Sequence, residues 1–241
     1  MKRAISLPTA AVVVAGLAAV AEPAQAQVYL RADAGYGWNT SANLKDRNGS
    51  GDFNCTVCSA DTLTEVGASP VVGGGIGYRF SDLLRADVSV GYRGWSQLNQ
   101  TNGAGTKFKS DIRSLSVMAT GYVDLPVEWH GVRPYVGAGI GWANNRMGTI
   151  TQTFDSSFGS ESDPSGSHNS LAWLATAGLS VAVSGPWSID LAYRYVDLGK
   201  IKTEAGTSAL TFGAVTMPLA TNGVMGDLST NEVLLSVRYT F

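Results

Sequence analysis

Apolar and polar residues exchange places every second position along much of this chain, the period of a β-strand whose two faces meet different surroundings. In residues 84–95, Ala86, Val88, Val90 and Tyr92 alternate with Arg85, Asp87, Ser89 and Arg93. Residues 186–195 repeat the pattern, with Trp187, Ile189, Leu191, Tyr193 and Tyr195 set against Ser188, Asp190, Ala192 and Arg194. In the closing segment Val233, Leu235, Val237, Tyr239 and Phe241 share one face, opposite Glu232, Leu234, Ser236, Arg238 and Thr240. Eight strands follow from this reading: 28–38, 71–80, 84–95, 111–125, 133–143, 170–183, 186–195 and 231–241. Each is about ten to fifteen residues long. A soluble strand is usually shorter, whereas a tilted strand crossing a bilayer needs about this length.

The links between these strands alternate too. Those at 81–83, 126–132 and 184–185 are short, and those at 39–70, 96–110, 144–169 and 196–230 are long and polar. Short turns at one end and long loops at the other mark an up-and-down membrane barrel, and an even strand count brings both termini to the short-turn side. The expected fold is all-β: an eight-stranded antiparallel up-and-down transmembrane β-barrel with short periplasmic turns and long extracellular loops.

Period alone does not say which face is outside, because a soluble lipocalin-like barrel shows the same alternation with its apolar face inward. Three features favour the inverted arrangement. The polar face carries opposite charges: Arg31, Asp33, Arg79, Arg85, Asp87, Arg93, Asp190, Arg194, Glu232 and Arg238. These read as a hydrogen-bonded ion network filling a narrow lumen, since unpaired buried charge is too costly. The same face holds Gly73, Gly75, Gly77, Gly91, Gly137, Gly139 and Gly141, which would make room for the long arginines. Finally, aromatic residues on the apolar face gather near strand ends. Tyr36, Tyr92, Trp142, Trp173 and Tyr195 lie towards the long loops, and Phe80, Trp187, Tyr239 and Phe241 towards the short turns. Two aromatic girdles around one apolar band are what a membrane requires.

The first residues add a destination. Met1, Lys2 and Arg3 precede an apolar run, Ala10 to Ala21, and Ala24-Gln25-Ala26 forms a small-x-small cleavage pattern. The expected division is a cleaved signal peptide over 1–26 and an outer-membrane barrel domain over 27–241. An N-terminal membrane anchor is the alternative, but the run is short and Glu22 and Pro23 close it. Of 17 basic and 19 acidic residues, Lys2, Arg3 and Glu22 fall in the leader, leaving 15 and 18 and a net charge of −3. That balance offers no electrostatic footprint for nucleic acid. Past the leader no apolar stretch reaches 18 residues, so no membrane helix is expected, which leaves transmembrane strands open.

Four segments carry a family likeness: Arg85 to Trp95, Arg133 to Ala143, Asp190 to Gly199 and the terminal Val237-Arg238-Tyr239-Thr240-Phe241. With them the chain resembles the small eight-stranded outer-membrane barrels of Gram-negative bacteria, the opacity-type surface antigens and OmpA-like barrels, in their alphaproteobacterial form. The resemblance covers the whole of 27–241. It implies that the strand ending in Tyr239 and Phe241 is the signal read by the barrel-assembly machinery. It also implies a structural or surface-interaction role in the cell outer membrane rather than a reaction. The segments do not resemble the separate peptidoglycan-binding domain that some OmpA-like proteins carry. Such a likeness settles architecture better than activity.

Candidate chemistry is sparse. Cys55 and Cys58 lie in the first long link and, in an oxidising envelope, are expected to form a disulfide, with free or redox-active thiols as the alternatives. Asp46, Asn48, Ser50 and Gly51 resemble the start of a calcium loop, but Val57 stands where a bidentate Glu belongs, so a Gly/Asn-rich turn is the plainer reading. The acidic stretch 155–163 reads as solvated loop charge. His168 and Ser170 share a strand face, as a lipid-modifying enzyme would need, yet no carboxylate is placed to orient the imidazole. His130 reads as a periplasmic turn residue. No catalytic residue, cofactor or metal is therefore expected, and the protein is read as not an enzyme. The expected partners are outer-membrane lipid and lipopolysaccharide, the assembly machinery during insertion, and host or surface ligands met by the loops. The function expected is envelope integrity with a surface-antigen role. A small-solute porin-type channel is the alternative, because so many inward positions are glycine, and a lipid-modifying enzyme is the remote one.

Overall fold

A strand in hydrocarbon must find a hydrogen-bonding neighbour on both sides, because no water is present to satisfy its backbone. The computed structural model describes residues 27–42, 45–46, 67–101, 107–153, 159–221 and 223–241. Among them lie thirteen strands: β1 Gln27–Ala42, β2 Lys45–Asp46, β3 Ser69–Arg79, β4 Leu84–Thr101, β5 Lys107–Asp124, β6 Val132–Met147, β7 Ile150–Thr153, β8 Ser160–Asp163, β9 Gly166–Ser184, β10 Trp187–Lys202, β11 Gly206–Phe212, β12 Val215–Thr221 and β13 Val224–Thr240. Eight of them pair in a ring, β1–β3–β4–β5–β6–β9–β10–β13, and β13 returns to β1 from Tyr29↔Thr240 to Ala42↔Leu228. All the pairings are antiparallel. The barrel is closed and has no edge in the membrane.

The turns at one end are tight, and each has a local cause. Ser81 Oγ accepts from the backbone N–H of Leu83 at 3.3 Å and of Leu84 at 3.1 Å, folding the β3–β4 link back on itself. Between β5 and β6, Trp129 and Val132 exchange backbone hydrogen bonds around His130 (φ 52°) and Gly131 (φ 78°). Two consecutive positive φ values define the hairpin turn whose twist matches that of its strands. Between β9 and β10 the turn is Gly185-Pro186. The sequence reading placed Pro186 in the strand; lacking an N–H to give the ladder, it sits in the turn instead.

At the other end the strands run on past their expected limits. β4 continues to Thr101, β6 to Met147 and β10 to Lys202, while β9 begins at Gly166 and β13 at Val224. Two long links carry further strands, in the order β5–β7–β8–β11–β12, so much of what reads as polar loop is sheet. The alternation fades there because bulges reset its phase. Register shifts fall between Arg93 and Ser96 and between Asp197 and Gly199, where Gly199 takes φ 72°. One extra residue moves every later side chain to the opposite face, which breaks a period-two pattern in the sequence but not the sheet.

Burial is inside-out over the barrel's length. Ile140 and Leu171 on the outer face are 67% and 78% exposed, while Arg85 and Glu232 within are 2% and 0% exposed. From Val28 to Trp38 the outward apolar row spans roughly 25 Å of membrane height at a ~40° tilt. Beneath the long hairpins the arrangement reverts to that of an ordinary protein. Ile112, Met147, Ile150, Leu198, Ile201 and Leu228 belong to one buried apolar cluster.

Candidate functional site

The barrel interior gathers most of the charge chosen from the sequence, and it does so in three tiers. Nearest the short turns, Arg85 Nε lies 3.0 Å from Asp124 Oδ1, and its guanidinium stands 4.3 Å from the Tyr122 ring centroid and 4.5 Å from that of Tyr135. Neither Nη of Arg85 has a hydrogen-bond partner among the described residues; the two aromatic faces stand in for one. Close by, Arg238 Nη2 donates to Ser180 Oγ at 2.8 Å and lies 3.3 Å from Asp190 Oδ1.

Asp87 organises the middle tier. Arg31 Nη1 meets its Oδ2 at 2.8 Å, and the hydroxyls of Tyr29 and Tyr122 donate to it at 3.2 and 3.3 Å. Arg31 Nη1 also donates to Tyr122 Oη at 2.7 Å. Its Nε lies 2.9 Å from Asp33 Oδ1, but neither atom makes a directed hydrogen bond, so that contact is purely electrostatic. Towards the long hairpins Glu232 takes both Arg93 and Arg194, the latter through Nε at 2.8 Å, while Arg93 Nη1 donates to Ser116 Oγ at 2.8 Å. One carboxylate thus serves two guanidiniums from opposite directions.

Nine of the ten residues named from the polar face enter these contacts. Arg79, at the end of β3, joins no ion pair among the described residues. Sequence reasoning missed Asp124, the counterion of Arg85, together with the three inward tyrosines. Asp124 lies on β5, whose inward face is Ile112, Ser114, Ser116, Met118, Thr120, Tyr122 and Asp124. The signal was available in the phase of the exposed Leu115, Val117 and Val123, but a face so mixed in polarity does not announce itself.

Gly91 stands beside Arg93, whose Nη1 would lie 3.5 Å from an added Cβ, but three other inward glycines serve tyrosines instead. Tyr29 lies directly across from Gly77, Tyr122 from Gly137 and Tyr135 from Gly178. A Cβ at those glycines would come within 2.2, 2.6 and 2.6 Å of the facing ring. The space left by each glycine is filled by a tyrosine laid across the neighbouring strand, and only then do the arginines pack against the rings.

Above the tiers lies the buried apolar cluster that includes Ile112, Met147, Ile150 and Leu198. Buried beside it is Asn145, whose Nδ2 donates to the carbonyls of Leu198 at 2.7 Å and Lys200 at 3.1 Å, while Oδ1 accepts from Ser114 Oγ at 2.7 Å. A cavity of about 10 Å³ lies among Asp33, Gly73, Ser89, Gly91, Ser116 and Arg194, room for about one water.

The remaining candidates separate cleanly. Cys55 and Cys58, and all of the calcium-like stretch except Asp46 in β2, lie outside the described residues. No group of three metal-ligating side chains occurs among the described residues. His168 and Ser170 take the inward phase of β9, away from lipid, and the Ser170 hydroxyl is held by the backbone of Lys200, accepting from its N–H at 2.9 Å and donating to its carbonyl at 3.1 Å. Tyr239 stacks edge-on between Trp187 at 4.9 Å and Phe241 at 5.0 Å on the outer face.

A closed antiparallel barrel, apolar outside, charged within and belted by aromatics, is a transmembrane β-barrel. The chain belongs to the outer membrane protein beta-barrel domain family, whose profile matches residues 8–241, and the protein resides in the outer membrane. It is 27% identical over 193 residues to the outer membrane protein PagN of Salmonella typhimurium, covering 71% of this chain and 73% of that one. An uncharacterised protein of Brucella suis biovar 1 is 31% identical over 206 residues, covering 73% and 69%. Among solved structures, the outer membrane protein OprG of Pseudomonas aeruginosa superimposes with a TM-score of 0.53 at 15% identity, covering 88% of this chain and 95% of that one. Neisserial surface protein A gives 0.51 at 17% identity, covering 89% and 97%. These two likenesses are of fold.

Proposed function

We propose that the protein is a closed, non-enzymatic barrel that supports the envelope and presents its long hairpins as a surface for interaction. The observation that carries this reading is the filled lumen. Three tiers of arginine–carboxylate contacts occupy the membrane-spanning part, and a buried apolar cluster lies beneath the hairpins, which supports a closed path. Removing this much side chain from the path would cost buried ion pairs and core contacts together. The inward phase of His168 and Ser170 fits the same reading, since a lipid-modifying pair must meet lipid. We also infer removal of 1–26 as a signal peptide, a Cys55–Cys58 disulfide, and recognition of Tyr239 and Phe241 by the assembly machinery.

Planar-bilayer recording tests the central claim. The purified barrel is expected to give no discrete conductance steps at moderate voltage. Regular single-channel steps would replace this reading with that of a small-solute channel.

A further inference from the structure

The outer wall of β5 and β6 bears charges that no ion pair among the described residues answers. Arg113 and Arg146 are both exposed and stand directly opposite each other across the antiparallel pair. Like charges in that position repel. Lys109 and Lys107, also exposed, continue the row along β5. Asp111 is the one acid on that stretch of the face, so the five residues carry three net positive charges. None of them forms an ion pair among the described residues. On the β10–β13 wall, by contrast, one exposed cation is paired: Lys200 meets Asp227 at 3.2 Å, and Asp197 accepts from the Gly199 N–H at 2.8 Å.

Height decides what can answer these cations. Arg113 stands two residues beyond Leu115, about 7 Å along the strand, and Leu115 is still in the apolar band. Arg146 stands four residues beyond Trp142, itself 42% exposed in the upper aromatic girdle. Tryptophan rings settle at headgroup level, so the arginines lie in the layer of charged headgroups and point sideways into it. A partner approaching from solution would meet the hairpins above first. A lipid already in the leaflet meets this wall from the side, where Lys107, Lys109, Arg113 and Arg146 are exposed. Beside the cations, Asn144 Nδ2 donates to Asn169 Oδ1 at 2.6 Å, adding a polar amide pair at the same level for sugar or phosphate oxygens.

We propose that the Arg113–Arg146 pair, extended by Lys107 and Lys109, is a binding site for the phosphates of lipopolysaccharide in the outer leaflet. Two guanidinium forks held side by side fit a phosphomonoester, which accepts several charge-assisted hydrogen bonds at once. The phosphate also relieves the repulsion that the bare pair suffers. This inference goes beyond the closed-barrel reading and holds whether or not the lumen conducts.

The test uses the full refolded barrel in neutral detergent micelles, titrated with bisphosphorylated lipid A, with the same lipid after dephosphorylation, and with phosphatidylglycerol. The native protein is expected to bind bisphosphorylated lipid A, and the R113Q/R146Q double variant to bind it about 30-fold more weakly, at roughly a fivefold loss for each interfacial cation. Dephosphorylated lipid A should bind both proteins alike and weakly. R113K/R146K should retain part of the affinity. Equal binding of phosphorylated and dephosphorylated lipid, or no loss in the double variant, overturns the proposal. Phosphatidylglycerol binding as well as lipid A also overturns it, leaving only a generic anionic surface. Heat-modifiable migration on a detergent gel reports folding; should R113Q/R146Q fail that check, K107Q/K109Q carries the same expectation of loss.

Discussion

Glu232 is wholly buried and shared between Arg93 and Arg194, so its charge holds two others in place. Glu232→Gln preserves shape and leaves both guanidiniums without their carboxylate. Breaking a buried pair in this way costs about 3–5 kcal/mol. Urea unfolding in lipid vesicles, followed by tryptophan fluorescence, should show a loss of that size; a change under about 1 kcal/mol would show that the network is redundant at this point. The tyrosine–glycine pairs make a second prediction. In Gly77→Ala the new Cβ meets the Tyr29 ring at 2.2 Å, and overpacking of this kind costs about 1–3 kcal/mol. The cost should largely vanish in a Tyr29→Leu background, which a double-mutant cycle would reveal. Gly121→Ala, with nothing within 4 Å of its added carbon, should stay within about 0.5 kcal/mol of the native protein.

Among the elements, the barrel strands and the hairpin extension are held by different forces. The barrel closes through β5–β6 and β1–β13, and neither pairing needs β11 or β12. Replacing residues 206–221 by a short Gly/Ser turn should therefore leave an inserted, heat-modifiable barrel. Loss of the gel shift would show that the β5–β7–β8–β11–β12 sheet helps to close the ring. These elements also differ in how far they could be read beforehand. A membrane-facing strand must alternate, because every second residue touches lipid, so β1, β3 and β10 were visible with nearly their true limits on the short-turn side. Strands above the membrane face water or one another and obey no such rule. There Ile150, Ile201 and Val224 are buried beside bulges and turns, and their apolar character carries no period to recognise.

For the whole molecule, the two cores make one physical argument for a closed path. In the membrane the outside is oil, so polar groups collect inside, where they must neutralise one another to remain there. Above it the outside is water, so apolar groups collect inside and cap the same axis. An ion crossing would have to displace Glu232 from its arginines and then pass the Met147–Ile150–Leu198 cluster, which is why silence in planar bilayers is the expected outcome.

The alternation of side chains by itself determined the fold class, the membrane-facing surface and most of the charged residues that line the lumen, because lipid on one side imposes a period of two on any strand that crosses it. It also placed the girdles at Tyr36, Trp142, Trp173 and Trp187, which are exposed at 55%, 42%, 45% and 48%. What it held no information on is pairing around the ring. That Asp124 answers Arg85, that Glu232 answers two arginines, that three tyrosines lie on three glycines, and that Arg113 faces Arg146 all follow from strand register and barrel shear. Those are properties of closure. Which side chains meet across a lumen is decided only when the last strand joins the first.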